Sequence, residues 1–262
     1  MKDIQSLYDS RRINIRKVGV RTITYPIIVL DKECKTQQTV AKVNMYVNLP
    51  HRFKGTHMSR FVDILNRFHG KLNLETFHLI LEEMKARLVA EAAHLEVEFP
   101  YFLKTKHDVQ SPGMERYDCR LHGFLSRQLD LVVEVDVPVL LPYQGTTQGA
   151  ATVYSGLWGM VTVAVRMNRF LWIEDLIVLI KEGAVPQPAY PDGVESMCRR
   201  ISSVLRASGA FHWYKVVVKN IASGYSTFAS TEWPEPAETG MEGRNRCQII
   251  EVATGPKVAS TS

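Results

Sequence analysis

The chain has 262 residues, 45% of them hydrophobic, with 32 lysines and arginines against 27 aspartates and glutamates and a net charge of +5. That much apolar side chain fills one large core or two of ordinary size, which excludes a disordered or fibrous chain. The cations alternate with acids and form no block and no repeated basic–aromatic pattern. Nucleic acid is therefore not an expected partner, whereas a small anionic molecule is.

The four cysteines, Cys34, Cys119, Cys198 and Cys247, are scattered without CxxC or zinc-ribbon spacing and read as reduced thiols. The start, Met1-Lys2-Asp3-Ile4, does not read as a signal peptide, and no apolar run is long enough to cross a bilayer. A cytoplasmic protein with no membrane partner is the expectation.

After a polar lead, residues 18–30 read as a strand rich in β-branched side chains, with a turn at Asp31-Lys32-Glu33 and a return strand over 39–49. A helix is predicted over 56–69. A second follows, with Leu74, Phe77, Leu81, Met84 and Leu88 at helical spacing on one apolar face. Strands over 95–106 and 115–123 flank a turn at Ser111-Pro112-Gly113. The order then repeats. Val133, Val135, Val137 and Val139 alternate with polar residues, as do Val161, Val163 and Val165, giving two half-buried strands. Helices are predicted over 172–181 and 194–205, then strands over 212–219 and 225–231, then a loose tail in which 247–252 could form a late edge strand. The expected fold is α+β, with one ββααββ unit over 1–128, a second over 129–233 and a tail over 234–262. Antiparallel sheets of this kind leave open edges that subunit association can close into a barrel.

One stretch concentrates polar chemistry: Leu49-Pro50-His51-Arg52-Phe53-Lys54-Gly55-Thr56-His57-Met58-Ser59-Arg60-Phe61. It ends a strand, turns at Gly55 and starts a helix, so free N–H groups and the positive end of a helix dipole meet two histidines and several cations. Such a place suits an anion or a polar heterocycle. The plainer reading is a helix capped by Thr56 with solvated cations around it.

Asp3-Ile4-Gln5 with Val18-Gly19-Val20, the stretch just quoted, the run from Ala90-Glu91-Ala92-Ala93-His94 to Phe99-Pro100-Tyr101-Phe102, and Trp172-Ile173-Glu174-Asp175 resemble the type IB GTP cyclohydrolases. The resemblance covers roughly residues 3–231. It implies the tunnelling fold, tandem units in one chain, and an oligomer (dimer or tetramer) with active sites at interfaces. It also implies opening of the imidazole ring of GTP by a metal-activated water. It places His57, Ser59 and Arg60 among ligand-contacting residues, with Thr56 and His51 beside them. Glu195 matches the glutamate that holds the edge of a purine or pterin, a pairing in which a carboxylate accepts two hydrogen bonds.

The family's metal positions read differently here. Tyr143 stands where a cysteine ligand is expected, in Leu141-Pro142-Tyr143-Gln144-Gly145. Ser155-Gly156-Leu157-Trp158 stands in place of a His-Asn-Gln-Arg motif. The loop carrying a glutamate is shortened to 181–187, and Ser223-Gly224-Tyr225-Ser226-Thr227 carries no histidine. Tyrosine, serine and glycine are poor donors to zinc, iron or manganese at neutral pH. The expectation is thus an enzyme without metal or other cofactor that works on a purine-like, pterin-like or other polar heterocycle by acid–base chemistry. In it His57 moves protons, Arg60 is an electrostatic partner, Tyr143 donates a hydrogen bond, and Glu195, Thr56, Ser59, His51 and Gln144 bind the ligand. The alternatives are a non-catalytic binding protein or partner subunit, and an authentic GTP cyclohydrolase with ligands relocated to His51, His57 or Cys119.

Overall fold

A computed structural model describes residues 15–49, 58–104, 113–140, 158–185, 193–221 and 226–235. The chain divides into two compact units, 1–134 and 135–262.

The first unit opens with strands β1 (Ile15–Asp31) and β2 (Lys35–Leu49), an antiparallel hairpin. Its turn is built by Asp31, whose buried carboxylate accepts from the backbone N–H groups of Glu33 (2.9 Å) and Cys34 (2.6 Å) and from the Gln37 amide (3.0 Å). Helix α1 (Ser59–Arg67), a two-residue strand β3 (Lys71–Leu72) and helix α2 (Leu74–Arg87) follow, then β4 (Ala92–Lys104) and β5 (Met114–Leu125). The strands pair in the order β3-β1-β2-β4-β5, antiparallel except where β3 lies parallel to Ile28 and Val29.

Strand period two divides this sheet into a dry and a wet face. Val43, Met45 and Val47 on β2, with Leu95, Val97 and Phe99 on β4, point to the helices and are buried with Phe61, Ile64, Phe77, Ile80, Leu81 and Met84. Gly123 on β5 lets α2 approach closely, since a Cβ there would fall 2.2 Å from the Phe77 ring. Two details depart from the sequence pattern. Leu74, expected on the apolar face of α2, is 36% exposed because it begins the helix beyond the edge of the sheet contact, and Ile80 fills the face instead. α2 is fixed at its start by a capping box, Asn73 Oδ1 accepting from the Thr76 N–H (2.8 Å) and Thr76 Oγ1 from the Asn73 N–H (2.9 Å).

β6 (Leu129–Leu140) straddles the division. The second unit then contains β7 (Trp158–Met167), helices α3 (Ile173–Ala184) and α4 (Val194–Ser208), and strands β8 (Phe211–Ile221) and β9 (Ser226–Trp233), with β7, β8 and β9 in antiparallel order. Val161, Val163 and Val165 with Val216 and Val218 form the dry face, against Ile177, Ile180, Met197 and Ile201. The helices cross closely at Gly183, where a Cβ would lie 2.6 Å from the Ile201 Cα. Cys198 is buried, its thiol 3.8 Å from the Val216 carbonyl oxygen, so it is a core group. Among the described residues no helix is long and apolar enough to cross a membrane. Residues 247–252 lie outside those described.

Two irregularities shape β1. The register shifts between Val20 and Ile23, and Thr22 at the shift has φ 59°, an uncommon conformation for a β-branched residue. Its N–H donates to the Asn44 side-chain oxygen at 2.7 Å, which replaces the lost ladder bond. Gly19 sits opposite Tyr46, and a Cβ on it would fall 1.8 Å from the Met45 carbonyl oxygen, a backbone atom with little room to move. Gly19→Ala is expected to cost about 1–3 kcal/mol of unfolding free energy by chemical denaturation. An unchanged midpoint would show that β1 and β2 do not approach this closely.

Candidate functional site

α1 starts at Ser59, with Met58 at its N-cap in helical conformation (φ −63°, ψ −30°) and no side-chain cap. Within the described residues a bond runs from the Phe61 N–H to the Met58 carbonyl oxygen (3.2 Å), and the expected start and cap at Thr56 lie outside them. Ser59 and Arg60 share the first turn and are exposed, while Phe61, Ile64 and Leu65 anchor the helix below them. That turn holds no acid of its own, and Arg60 places a cation at the positive end of the helix dipole. His51, Thr56, His57, Tyr143 and Gln144 lie outside the described residues.

Glu195 stands in the first turn of α4, behind Gly193 at the N-cap, which provides no side-chain cap. A Cβ on Gly193 would lie 3.0 Å from Glu195 Oε2, so the carboxylate lies over the helix start, and glycine leaves the space it occupies. Met197, Cys198 and Ile201, buried within the next two turns, fix the helix axis that presents Glu195. A carboxylate so held can accept the paired N–H groups of a heterocycle edge.

The positions that the resemblance assigns to a metal, around 143, 155–158, 186–187 and 223–225, fall mostly outside the described residues. Among those described, no group of three or more His, Cys, Asp or Glu could hold a metal ion. Cys119, weighed as a relocated ligand, is fully buried on β5 opposite Phe99, which removes it from any solvent-facing site.

Four residues of the wet face, Asn44, Asn48, His94 and Glu96, form two polar pairs. Glu96 accepts from the Asn44 amide (3.0 Å) and pairs with Lys17 (3.8 Å), while a His94 ring nitrogen lies 3.1 Å from Asn48 Oδ1. Asn48 is the residue before Leu49, so His94 steadies the strand end that leads into the His51 to His57 stretch. The signal was present as alternation: Asn44, Tyr46 and Asn48 interleave with Val43, Met45 and Val47. Burial lowers the His94 pKa, reinforced by Lys17 and opposed by Glu96. Burial raises that of Tyr46, reinforced by Glu96 and opposed by Arg21.

The chain matches the family model described as type I GTP cyclohydrolase FolE2 over residues 1–143. GTP cyclohydrolase FolE2 of Syntrophotalea carbinolica is 41% identical over 262 aligned positions, spanning 91% of this chain and 97% of that protein. The protein of the same name from Syntrophobacter fumaroxidans is 42% identical, spanning 88% and 99%. The chain belongs to the GTP cyclohydrolase FolE2 family. Among solved structures, uricase from Arthrobacter globiformis superposes with a TM-score of 0.57 at 7% identity over 87% of this chain and 96% of the uricase. A uricase from Bacillus fastidious gives 0.55 at 9% identity over 85% and 90%. At such identity the likeness speaks for the fold alone, the tunnelling fold.

Membership of the FolE2 family at this identity overturns the expectation of a metal-free heterocycle enzyme, and with it the non-catalytic binding or partner subunit. The expectation rested on spacing counted back from Val161. Such counting assigns positions only if nothing is inserted or lost between 141 and 157, a stretch without helical or strand period to pin it. Donors to a metal also converge in space rather than in sequence.

A pH dependence follows for this FolE2 chain. The folded state holds His94 neutral and the unfolded chain titrates near the ordinary value of about 6.5, so the unfolded state binds more protons below it. His94 therefore contributes a loss of stability as pH falls through about 6.5, levelling off below the lowered folded-state pKa. Thermal melts from pH 8 to 5 should show a shallower decline for His94→Gln than for wild type; parallel curves would show that His94 does not titrate on unfolding.

Proposed function

We propose that the protein is an authentic GTP cyclohydrolase that opens the base of GTP by hydrolysis. The observation that carries the reading is the identity of about 40% with several proteins named GTP cyclohydrolase FolE2, spread over 97–99% of the length of the two most similar described above. Glu195 in the first turn of α4 and, separately, Ser59 and Arg60 in the first turn of α1 supply residue types that such a substrate needs.

In this reading the Glu195 carboxylate accepts hydrogen bonds from the N1–H and the amino group of guanine, fixing the base by its polar edge. Ser59 and Arg60, with Thr56 and the N–H groups at the helix start, receive the triphosphate as donors and a cation. His57 transfers a proton at the ring atoms that change bonding, with His51, Tyr143 and Gln144 lining the pocket. We infer also that copies of the chain associate in a homo-oligomer, dimer or tetramer: among the described residues β9 ends its sheet, and β1 is covered by β3 only at Ile28 and Val29, which leaves two open edges.

Purified protein incubated with GTP, with and without added zinc or manganese, should consume GTP and release formate. No consumption under any of these conditions overturns the reading. Glu195→Gln keeps the shape but donates where the base also donates. It should lower kcat/KM about 10- to 100-fold, the range expected for a charged hydrogen-bond pair, with the melt unchanged. Wild-type kinetics in this variant would remove Glu195 from base recognition.

A further inference from the structure

The face of the first unit's sheet turned away from α1 and α2 carries an arrangement that the hydrolytic reaction does not use. By register Tyr46 on β2 lies opposite His94 on β4, and His94 opposite Phe124 on β5. The pleat puts all three rings on one face, in a row about 10 Å long at the usual strand spacing, the length of a base with its sugar. The His94 and Phe124 rings lie 4.7 Å apart, tilted by 34°, and Phe124 remains 37% exposed beside half-buried His94. At the Tyr46 end stand two cations on β1: Lys17, its Nζ 3.9 Å from the ring centroid, and exposed Arg21, which hydrogen-bonds the Tyr46 side chain.

The row is held in place. Glu96 ties Lys17 to Asn44, Asn44 ties the Thr22 bulge, and Asn48 holds His94. Farther along the same face the charges answer one another: Lys42 is opposite Glu98, Glu98 opposite Arg120, and Arg120 pairs with Glu134. The cations next to the rings are Lys17, which stays half-exposed at 3.8 Å from Glu96, and exposed Arg21. An aromatic row accepts any flat heterocycle, and the cations at its end accept a phosphate.

We propose that this face is a second binding site, distinct from the Glu195 pocket, for a nucleoside monophosphate: the base stacks on His94 and Phe124 and the phosphate meets Lys17 and Arg21. It is tolerant of base identity, because the polar atoms of His94 and Asn48 are engaged with each other. Adenosine monophosphate is the discriminating probe, since adenine lacks the paired N–H edge that a carboxylate at Glu195 would take.

Equilibrium dialysis of the full chain with adenosine monophosphate should give one saturable site per chain that weakens as salt rises. Phe124→Ala, which loses the stack, and Lys17→Gln, which loses a phosphate partner, should each bind about tenfold more weakly. Both should keep wild-type melting and GTP turnover, and Glu195→Gln should bind the probe as wild type does. No saturable binding by wild type, wild-type binding by both Phe124→Ala and Lys17→Gln, or loss of binding in Glu195→Gln each overturns the proposal. The last result would place the probe in the pocket of the hydrolytic reaction.

Discussion

The first unit depends on the strict alternation of β2, β4 and β5. Because successive side chains point to opposite faces, Val43, Met45 and Val47 cannot be buried against the helices without sending Asn44, Tyr46 and Asn48 to the other side. A slip of one residue would invert both faces at once. β1 meets this constraint at two points: Gly19, which has no side chain to collide with the Met45 carbonyl, and the bulge at Thr22, whose freed N–H is taken by Asn44. The same amide that belongs to the wet face thus repairs the backbone of the neighbouring strand.

The two helix starts proposed to bind ligand follow a common physical rule. The group proposed to meet a ligand stands in the first turn, and apolar residues just beyond it are locked in the core. In α1 the pair Ser59 and Arg60 is followed by Phe61 and Ile64, and in α4 Glu195 is followed by Met197, Cys198 and Ile201. Core packing fixes the axis, and the axis aims the terminus. In neither helix does the side chain of the N-cap residue, Met58 or Gly193, cap the first turn.

Strands whose valines alternate, such as Val161, Val163 and Val165, were legible because burial on one face writes a period of two into the sequence. Glu195 was legible as a first-turn acid because Pro191, Asp192 and Gly193 mark a helix start before it. β3 was not: two residues held by Gly70 (φ 72°), whose carbonyl receives the Ile28 N–H at 2.8 Å, leave no periodic trace. The pairs Asn44 with Glu96 and Asn48 with His94 were hidden because polar residues on a wet face look alike in sequence whether they touch solvent or one another. The metal reading failed for a related reason, since positions between 141 and 157 were assigned by count where no periodic element anchors the count.

The central claim is that Glu195 holds the base of the substrate. A crystal structure of the protein with GTP or a non-hydrolysable analogue addresses it most directly. The account predicts both carboxylate oxygens of Glu195 within hydrogen-bond distance of the guanine N1 and its amino nitrogen. Guanine bound with its polar edge on other residues, and Glu195 turned to solvent, would contradict it.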